Sequence, residues 1–272
     1  MKKFTVASCL AIACVLIAGV SLASCAKKDA SDASLKAVMD KKSFVLGLDD
    51  SFPPMGFRDE NNEIVGYDVD LAKEVTKRMG VELVCQPIDW NAKEQELNTG
   101  KIDCIWNGFT ITPERAAAMT FTKPYLKNAQ VLVVRSDSGI KTLADLAGKT
   151  VGLQAGSSAA DALEGATAFK ASLKGTVEFK DNLTALMDLE AKGVNAVVMD
   201  LLVANDNINR SGKAYTILSE SLSPEEYGVG FRKADVALMT KVQSTLEAMA
   251  ADGTIAKIAT KWFGADISVV GK

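Results

Sequence analysis

The chain has 272 residues, with 31 Lys and Arg against 34 Asp and Glu, no histidine and a formal charge of −3. This near-neutral balance, without a block of basic residues, argues against a nucleic-acid partner. The length is close to the size at which a single hydrophobic core gives way to two, so two lobes are plausible.

The N-terminus has the pattern of an export signal. Lys2 and Lys3 precede an uncharged stretch, residues 4–24, which is apolar at its centre and ends in small residues. That order is typical of a secretory signal. An uncleaved anchor is the alternative, because the stretch is long enough to cross a bilayer once as a helix.

The sequence Leu-Ala-Ser-Cys at 22–25 resembles the lipobox at which a bacterial signal is cut and the cysteine is acylated. We therefore predict a signal peptide over residues 1–24 and a lipid on Cys25, which would hold the protein outside the cytoplasm on a bacterial cell membrane. Residues 25–34 lack bulky apolar side chains, so they are predicted to be a flexible tether to a fold that begins near Leu35.

Short apolar strands then alternate with amphipathic helices, which predicts an α/β fold with a largely parallel sheet. In the first half the predicted elements are strand 44–48, helix 68–79, strand 81–86, helix 92–99 and strand 102–106. In the second half they are strand 149–153, helix 158–164, strand 176–179, helix 183–191 and strand 194–199. The repeated order predicts two similar lobes.

Two apolar runs, 129–135 and 226–231, are expected to carry the chain between these lobes. Lobe 1 would then be discontinuous, with residues 35–129 and 226–272, and lobe 2 would be residues 130–225. A helix over about 235–251 and a last helix ending at Gly264 complete the predicted elements, and no segment beyond the signal is apolar enough to enter a membrane.

Polar residues follow the predicted strands, and ligands gather at the carboxyl ends of strands in open parallel sheets. After the first strand come Asp49, Asp50 and Phe52, after the second comes Trp90, and after the third comes a loop that contains Asn107, Gly108, Thr110 and Arg115. Phe52 and Trp90 are either core aromatics or two walls of a pocket.

Arg115 has an unusual predicted position. Thr112 and Pro113 have the pattern of a helix N-cap and first helical residue, which places Arg115 in the first turn. A cation there is mildly unfavourable unless an anion lies beside it. The anion could be a ligand, and the alternatives are a solvated surface arginine or an internal ion pair.

The second half offers four further candidate residues, Gln154, Ser157, Ser158 and Asp200. The turn from Gln154 to Ser158 leads into a helix whose free N–H groups could hold an anion, or Ser157 and Ser158 could provide an ordinary N-cap. Asp200 precedes a predicted helix over 201–209, where an aspartate is more often a cap than a ligand.

Several segments together resemble one family. The segments 47–55, 65–72, 108–115, 227–231 and 261–264 closely resemble the polar amino-acid-binding family of periplasmic binding proteins, in order along the chain. The resemblance implies the type II periplasmic binding protein fold: two lobes of mixed, mostly parallel sheet flanked by helices and joined by two crossing strands. It further implies a monomer that captures a free L-amino acid and delivers it to an ABC transporter permease, without a cofactor or a metal.

For the ligand's main chain, the resemblance implies that Arg115 holds the α-carboxylate together with the backbone of Thr110 and the turn at Ser157. The α-ammonium would meet the Gly108 carbonyl, the Thr110 hydroxyl and Asp200. Two opposite charges at a fixed spacing would select a zwitterion.

For the ligand's side chain, the resemblance implies that Phe52 and Trp90 sandwich it and that Asp49, Gln154 and Asn107 meet its tip. With Asp49, Asp50 and Gln154 expected near the side-chain end and Arg115 the only nearby base, we expect a neutral polar or cationic amino acid. Trp90 and Asn107 differ from the family's usual phenylalanine or tyrosine and small residue, so the particular ligand stays open.

Two other classes of function are kept as alternatives. A few proteins that resemble the family are extracytoplasmic dehydratases, but without histidine any acid–base catalysis would fall to a carboxylate, lysine or tyrosine. A sensory module of a signalling receptor is the other alternative, although no transmembrane helix or signalling domain is expected after residue 225.

Cys85 and Cys104 lie in predicted strands. A disulfide is one interpretation in an exported protein, but both lie in apolar runs, where a free buried cysteine is the simpler interpretation. In the implied fold their strands would flank the first strand on opposite sides, ~9 to 10 Å apart, which is beyond the reach of a disulfide. Two free thiols are therefore predicted.

Overall fold

The computed structural model describes residues 32–272, so the predicted signal peptide, Cys25 and most of the predicted tether lie outside the described residues. The α-helices of the described part are α1 Ser34–Lys41, α2 Tyr67–Met79, α3 Lys93–Asn98, α4 Pro113–Ala118, α5 Ser158–Gly165, α6 Thr167–Ser172, α7 Asn182–Glu190, α8 Leu201–Ser211, α9 Val236–Ala251 and α10 Thr254–Phe263. None of these helices is both long and apolar enough to cross a membrane.

The strands of the same region are β1 Ser43–Leu48, β2 Ser51–Phe52, β3 Gly56–Arg58, β4 Ile64–Val65, β5 Glu82–Pro87, β6 Cys104–Ile105, β7 Met119–Phe121, β8 Leu126–Arg135, β9 Thr150–Gln154, β10 Gly175–Phe179, β11 Ala196–Asp200, β12 Tyr215–Tyr227 and β13 Gly230–Arg232. They form two five-stranded sheets and a small sheet of β2, β3 and β4. The predicted alternation of strands and helices is confirmed.

The first sheet has the order β5-β1-β6-β13-β7. The strands β5, β1 and β6 pair in parallel. The strand β13 pairs antiparallel with β6, and β7 pairs antiparallel with β13. Leu46 of β1 is paired with Cys85 on one side and Cys104 on the other. Both cysteines are free, as predicted, because a whole strand lies between them.

The second sheet has the order β10-β9-β11-β8-β12 and repeats this arrangement. The strands β10, β9 and β11 are parallel, and β8 and β12 are antiparallel additions. The prediction of a largely parallel sheet thus holds for three strands of each five-stranded sheet. Gln154 ends β9 and Asp200 ends β11, so both occupy the carboxyl edge of this sheet.

The connecting strands differ from the prediction. The strand β8 begins at Leu126, earlier than expected, and β12 pairs with it in antiparallel register up to Tyr227. The predicted run 226–231 is interrupted between Tyr227 and Gly230. At Gly230 an added Cβ would lie 2.7 Å from the Phe109 ring, so the chain there passes too close to that aromatic side chain for any residue but glycine.

Candidate functional site

A single small cavity is lined by all eleven residues that the sequence nominated. Its lining residues are Asp49, Phe52, Trp90, Asn107, Gly108, Thr110, Arg115, Gln154, Ser157, Ser158 and Asp200. The first seven come from loops at the carboxyl edge of the first sheet or the segments that follow them, and the last four come from the edge of the second. The cavity therefore lies between the two sheets, and ligand contact by these residues stays a prediction.

Arg115 occupies the predicted place in the first turn of α4, where its backbone N–H donates to the Thr112 hydroxyl at 3.2 Å. Its side chain is only 8 % exposed. The guanidinium donates to the carbonyls of Thr110 at 3.0 Å and Gly156 at 3.2 Å, and lies 4.6 Å from the centre of the Phe109 ring. Among residues 32–272 no carboxylate lies within 4.0 Å of it, so it is neither a solvated arginine nor half of an ion pair.

A second buried cation, Lys93, lies beside Arg115 and was not predicted from the sequence. Its Nζ donates to the Gly156 carbonyl at 2.7 Å, so two cations share one acceptor on the second sheet's side of the cavity. Burial lowers the pKa of Lys93, and the neighbouring Arg115 charge lowers it further. Glu94, 3.3 Å away, offsets part of this. The expectation that Arg115 is the only base near the site is therefore wrong.

Asp200 provides a buried acidic group on the wall of the same cavity. Its Oδ1 accepts hydrogen bonds from the Tyr227 hydroxyl at 2.6 Å and the Asn128 amide at 2.7 Å. Although it precedes α8, its side chain makes no capping hydrogen bond. Burial, followed by the charge of Glu225, raises the pKa of Asp200 to about 7. A cation in the cavity would therefore relieve a desolvated carboxylate.

Gly108 and Thr110 are held by groups behind the cavity wall. The Gly108 N–H donates to Asp68 at 2.7 Å, and its φ of +55° is one that glycine adopts without strain. An added Cβ at Gly108 would meet the Phe52 ring at 2.9 Å. The Thr110 hydroxyl donates to Glu225 at 3.0 Å.

Asp49 and Gln154 meet across the cavity. The amide of Gln154 donates to Asp49 Oδ2 at 2.7 Å, and Asp49 Oδ1 accepts from the backbone of Ser51 at 2.9 Å. Burial raises the pKa of Asp49 to about 6 despite these donors. Asn107 accepts from the Asp49 backbone N–H at 3.0 Å, while its own Nδ2 has no hydrogen-bond partner among the described residues.

Asp50 does not belong to this cavity, although it was expected near the ligand's side chain. It forms an ion pair with Arg58 at 2.6 Å and lines a separate surface cavity. The chain turns after Asp49, because Ser51 begins a strand that pairs with β3. Asp50 consequently faces away from its neighbour's site.

The two aromatic and the two serine candidates all line the cavity. Phe52 and Trp90 are both buried, line the cavity and also pack into hydrophobic clusters, so they are core residues and walls at once. The Ser157 hydroxyl donates to the Gln154 carbonyl at 2.7 Å, and the Ser158 hydroxyl donates to Thr110 at 3.1 Å. No side chain caps the N-terminus of α5, which leaves N–H groups of its first turn able to bind an anion.

Five polar residues behind the wall, missed from the sequence, orient the predicted ones. They are Asp68, Asn128, Gln130, Glu225 and Tyr227. A usable signal existed for two of them, because Asn128 and Gln130 are polar side chains at alternate positions directly before the apolar residues 131–134 of the same strand. The structure shows no cluster of three or more potential metal ligands in residues 32–272.

Comparison with known proteins adds independent evidence. Residues 44–265 match the sequence profile of the bacterial extracellular solute-binding proteins, family 3. The chain is 30 % identical over 265 residues to the L-cystine-binding protein TcyJ of Escherichia coli strain K12, covering 94 % of each chain. It is 31 % identical over 222 residues to the ABC transporter arginine-binding protein 1 of the same strain, covering 80 % of this chain and 89 % of that protein.

The fold is also that of a solved structure. An ABC uptake transporter substrate-binding protein from Streptococcus pneumoniae, with bound histidine, superposes with a TM-score of 0.85 at 36 % identity. The alignment covers 88 % of this chain and 99 % of that one. The architecture of two sheets with flanking helices is thus that of type II periplasmic binding proteins.

Proposed function

Because the chain belongs to family 3 of the bacterial extracellular solute-binding proteins, we propose that it captures a free L-amino acid between two closing lobes and delivers it to an ABC transporter permease. The observation that carries the proposal is a pair of buried opposite charges on one cavity. Arg115 has no carboxylate partner in residues 32–272, and Asp200 lines the same cavity from the second sheet's side. A zwitterion supplies both missing partners.

The ligand's α-carboxylate would bind Arg115, whose planar guanidinium keeps N–H donors beyond the two that it gives to the carbonyls of Thr110 and Gly156. The uncapped first turn of α5 and the positive charge of Lys93 favour an anion at the same place. The α-ammonium would bind the Asp200 carboxylate and the oxygen atoms of Thr110 and Gly108.

Closure would be coupled to ligand binding through contacts between the two proposed lobes. Lobe 1 comprises residues 35–129 and 226–272, and lobe 2 comprises residues 130–225. Hydrogen bonds from Arg115 and Lys93 to Gly156, and from Gln154 to Asp49, connect residues of one proposed lobe with residues of the other. A ligand that touches both lobes binds the closed form better, which is the differential affinity that a hinge motion requires.

The ligand's side chain is proposed to be neutral and polar or cationic. Asp49 is buried beside Gln154 and has no cation within 4.0 Å in the described part of the chain. Lys93 does not change this expectation, because its Nζ lies at the Gly156 carbonyl with Arg115 and not at Asp49. The bound histidine and the names of the cystine- and arginine-binding relatives support the same class.

We also propose that the mature protein begins at Cys25 and is held to the cell membrane by a lipid on that residue, as a monomer. The support is the lipobox-like segment 22–25. Replacing Cys25 by serine should release the protein from the membrane fraction; retention there would contradict lipid anchoring.

Catalysis is the second candidate function, and one observation favours it. A carboxyl whose pKa is raised to about 7, as at Asp200, is suited to general acid catalysis. We propose that this carboxyl binds an ammonium group and transfers no proton, because Tyr227 and Asn128 both donate to it and hold it as an acceptor. Recovery of unchanged amino acid after denaturing the complex supports binding; an altered product would support an enzyme.

The direct test is a thermal-shift screen of the common amino acids and cystine, followed by calorimetry on each ligand that raises the melting temperature. We expect submicromolar to micromolar binding of at least one neutral polar or cationic amino acid, within the range of specific ligands. Aspartate and glutamate should bind weakly, since their second carboxylate would meet Asp49. Absence of binding by every amino acid, or submicromolar binding of glutamate, would contradict the proposal.

A further inference from the structure

Glu225 lies behind the cavity wall, next to the groups assigned to the ligand's ammonium. It belongs to β12 and is not among the residues that line the cavity. Its Oε2 atom accepts three hydrogen bonds: from the Thr110 hydroxyl, from the Asn128 amide and from the Gln130 amide, each at 3.0 Å. Three donors from two segments of the chain, the loop at Thr110 and the strand β8, therefore converge on a single oxygen.

These contacts fix the direction of every hydrogen bond at the Thr110 hydroxyl. Its one proton goes to Glu225, so it can only accept from the Ser158 hydroxyl, 3.1 Å away. Ser158 in turn accepts from the Gln130 amide at 3.3 Å, which is a donor by its chemistry. The hydrogen bonds thus all run in one direction: Gln130 donates to Ser158, Ser158 donates to Thr110, and Thr110 donates to Glu225.

The direction of these hydrogen bonds determines what the Thr110 hydroxyl can offer a ligand. A hydroxyl has one donor and two acceptor positions. At Thr110 the donor and one acceptor are taken, so the group can offer a ligand only an acceptor. Asp200, whose Oδ1 shares the Asn128 amide with Glu225, is an acceptor as well. This part of the cavity is therefore complementary to a group with several N–H donors and mismatched to a group that can only accept, such as a carbonyl.

We propose that Glu225 is a positioning residue for α-ammonium recognition: by accepting the Thr110 proton, it makes that hydroxyl an obligate acceptor and so selects ligands that carry a free α-amino group. The inference rests on the proposed function, because it deepens the assignment of this end of the cavity. In this inference, Glu225 favours the α-ammonium by accepting the Thr110 proton and not by long-range attraction from its carboxylate charge. Experiments can distinguish these two causes.

Two substitutions distinguish them. Glu225→Gln keeps an oxygen that can accept the same three donors but removes the charge, whereas Glu225→Met keeps the approximate size and removes the acceptor. Glu226→Gln and Glu226→Met are matched controls, because Glu226 is the next residue of β12 and is exposed. Calorimetry would use the wild type's tightest-binding amino acid and the corresponding acid without the α-amino group, and urea unfolding would report the stability of each variant.

We expect Glu225→Gln to stay within about threefold of the wild type, and Glu225→Met to weaken amino-acid binding by roughly tenfold to a hundredfold, as for loss of a hydrogen bond to a charged group. The acid without the amino group should bind Glu225→Met as it binds the wild type, so that discrimination falls. Equal losses for both ligands would instead indicate a merely structural role and overturn the proposal.

The test stays decisive in the other cases. A tenfold or larger loss in Glu225→Gln would show that charge and not hydrogen-bond direction matters, and this outcome can be measured even if Glu225→Met fails to fold. Wild-type affinity in a folded Glu225→Met would also overturn the inference. If the wild type binds no amino acid, the proposed function itself fails, which is a distinguishable result.

Discussion

Gln154 donates a 2.7 Å hydrogen bond from its Nε2 to Oδ2 of Asp49, joining the carboxyl edges of the two sheets across the cavity. The contact places a buried acid where a ligand's side chain would end under the proposed function. Because burial raises the pKa of Asp49 to about 6, the carboxylate is ionised at neutral pH but is only weakly compensated. The charge of Asp49 should therefore affect which amino-acid side chains bind.

Replacing Asp49 by asparagine should weaken binding of arginine, lysine or histidinium by roughly tenfold to a hundredfold, because a hydrogen bond to a charged group is lost. Glutamine should change by less than about threefold. The matched control is Asp50→Asn, whose carboxylate pairs with Arg58 outside the cavity. Calorimetry with each ligand would contradict this assignment if Asp50→Asn were the variant that lost affinity for the cationic amino acids.

Ligand affinity should depend on pH through Asp200. Burial, followed by Glu225, raises the pKa of this carboxyl to about 7 in the unliganded protein, and an ammonium binds the ionised form. Affinity should therefore be greatest above pH 7 and fall by up to about tenfold per pH unit as the pH drops below 7. Calorimetry between pH 5 and 8, in buffers of different ionisation enthalpy, should also show proton release on binding. A flat profile would contradict the assignment.

The unliganded protein should lose stability as the pH rises from about 4 to 7. Burial raises the pKa values of Asp68 and Asp200 to about 7, well above the ordinary aspartate value. The folded state then binds more protons than the unfolded state in this window, so the free energy of unfolding decreases with pH. Urea unfolding at pH 5.5 and pH 8 should differ by at least ~1 kcal/mol in favour of pH 5.5. The reverse order would show that neither carboxyl is protonated in the folded protein.

Two free thiols are expected in the domain that follows Cys25. Leu46 separates Cys85 and Cys104 in the first sheet, and burial raises the pKa of both thiols. In the native protein both should react slowly, and Cys85 should react first because it is less buried. Thiol counting on the denatured, unreduced protein that starts after Cys25 should give two; finding none would mean that the strands can come together.

The candidate cavity could be predicted from the sequence because its residues follow strands in segments that resemble the polar amino-acid-binding family, such as the loop from Asn107 to Arg115. The supporting residues could not. Glu225 lies in a strand whose residues 219–226 are mostly serine and glutamate and include Pro224, and such a segment is typical of a loop. As an edge strand β12 nevertheless tolerates proline, because one side of it needs no partner. Tertiary pairing with β8 decided its structure.

Lys93 illustrates a second limit. It lies in the short polar helix α3, where the neighbouring acids predict a solvated face. In the structure its side chain is 3 % exposed, because the Gly156 carbonyl on the opposite edge covers its Nζ and accepts a hydrogen bond from it. A contact between residues so far apart in sequence depends on how the two sheets approach each other, which no local pattern encodes.

The role of Arg115 also has a consequence for stability. A cleft arginine that only binds a ligand would be solvated in the unliganded protein, and its loss would change folding little. The structure instead buries it with two carbonyl contacts, to Thr110 and Gly156. Part of the effect of replacing it will therefore fall on the closed form, and urea unfolding of each variant without ligand is the necessary control.

The most direct test of the account is calorimetry on wild type, Arg115→Ala and Arg115→Lys, with the tightest-binding amino acid and its decarboxylated amine. Arg115→Ala should cost ~2 to 5 kcal/mol for the amino acid, as for other buried charge pairs, which is roughly 30-fold to several thousand-fold in affinity. Arg115→Lys should recover only part, because lysine lacks the planar two-donor fork. The amine, without a carboxylate, should bind all three proteins alike. A folded Arg115→Ala protein with near-wild-type affinity for the amino acid would contradict the account.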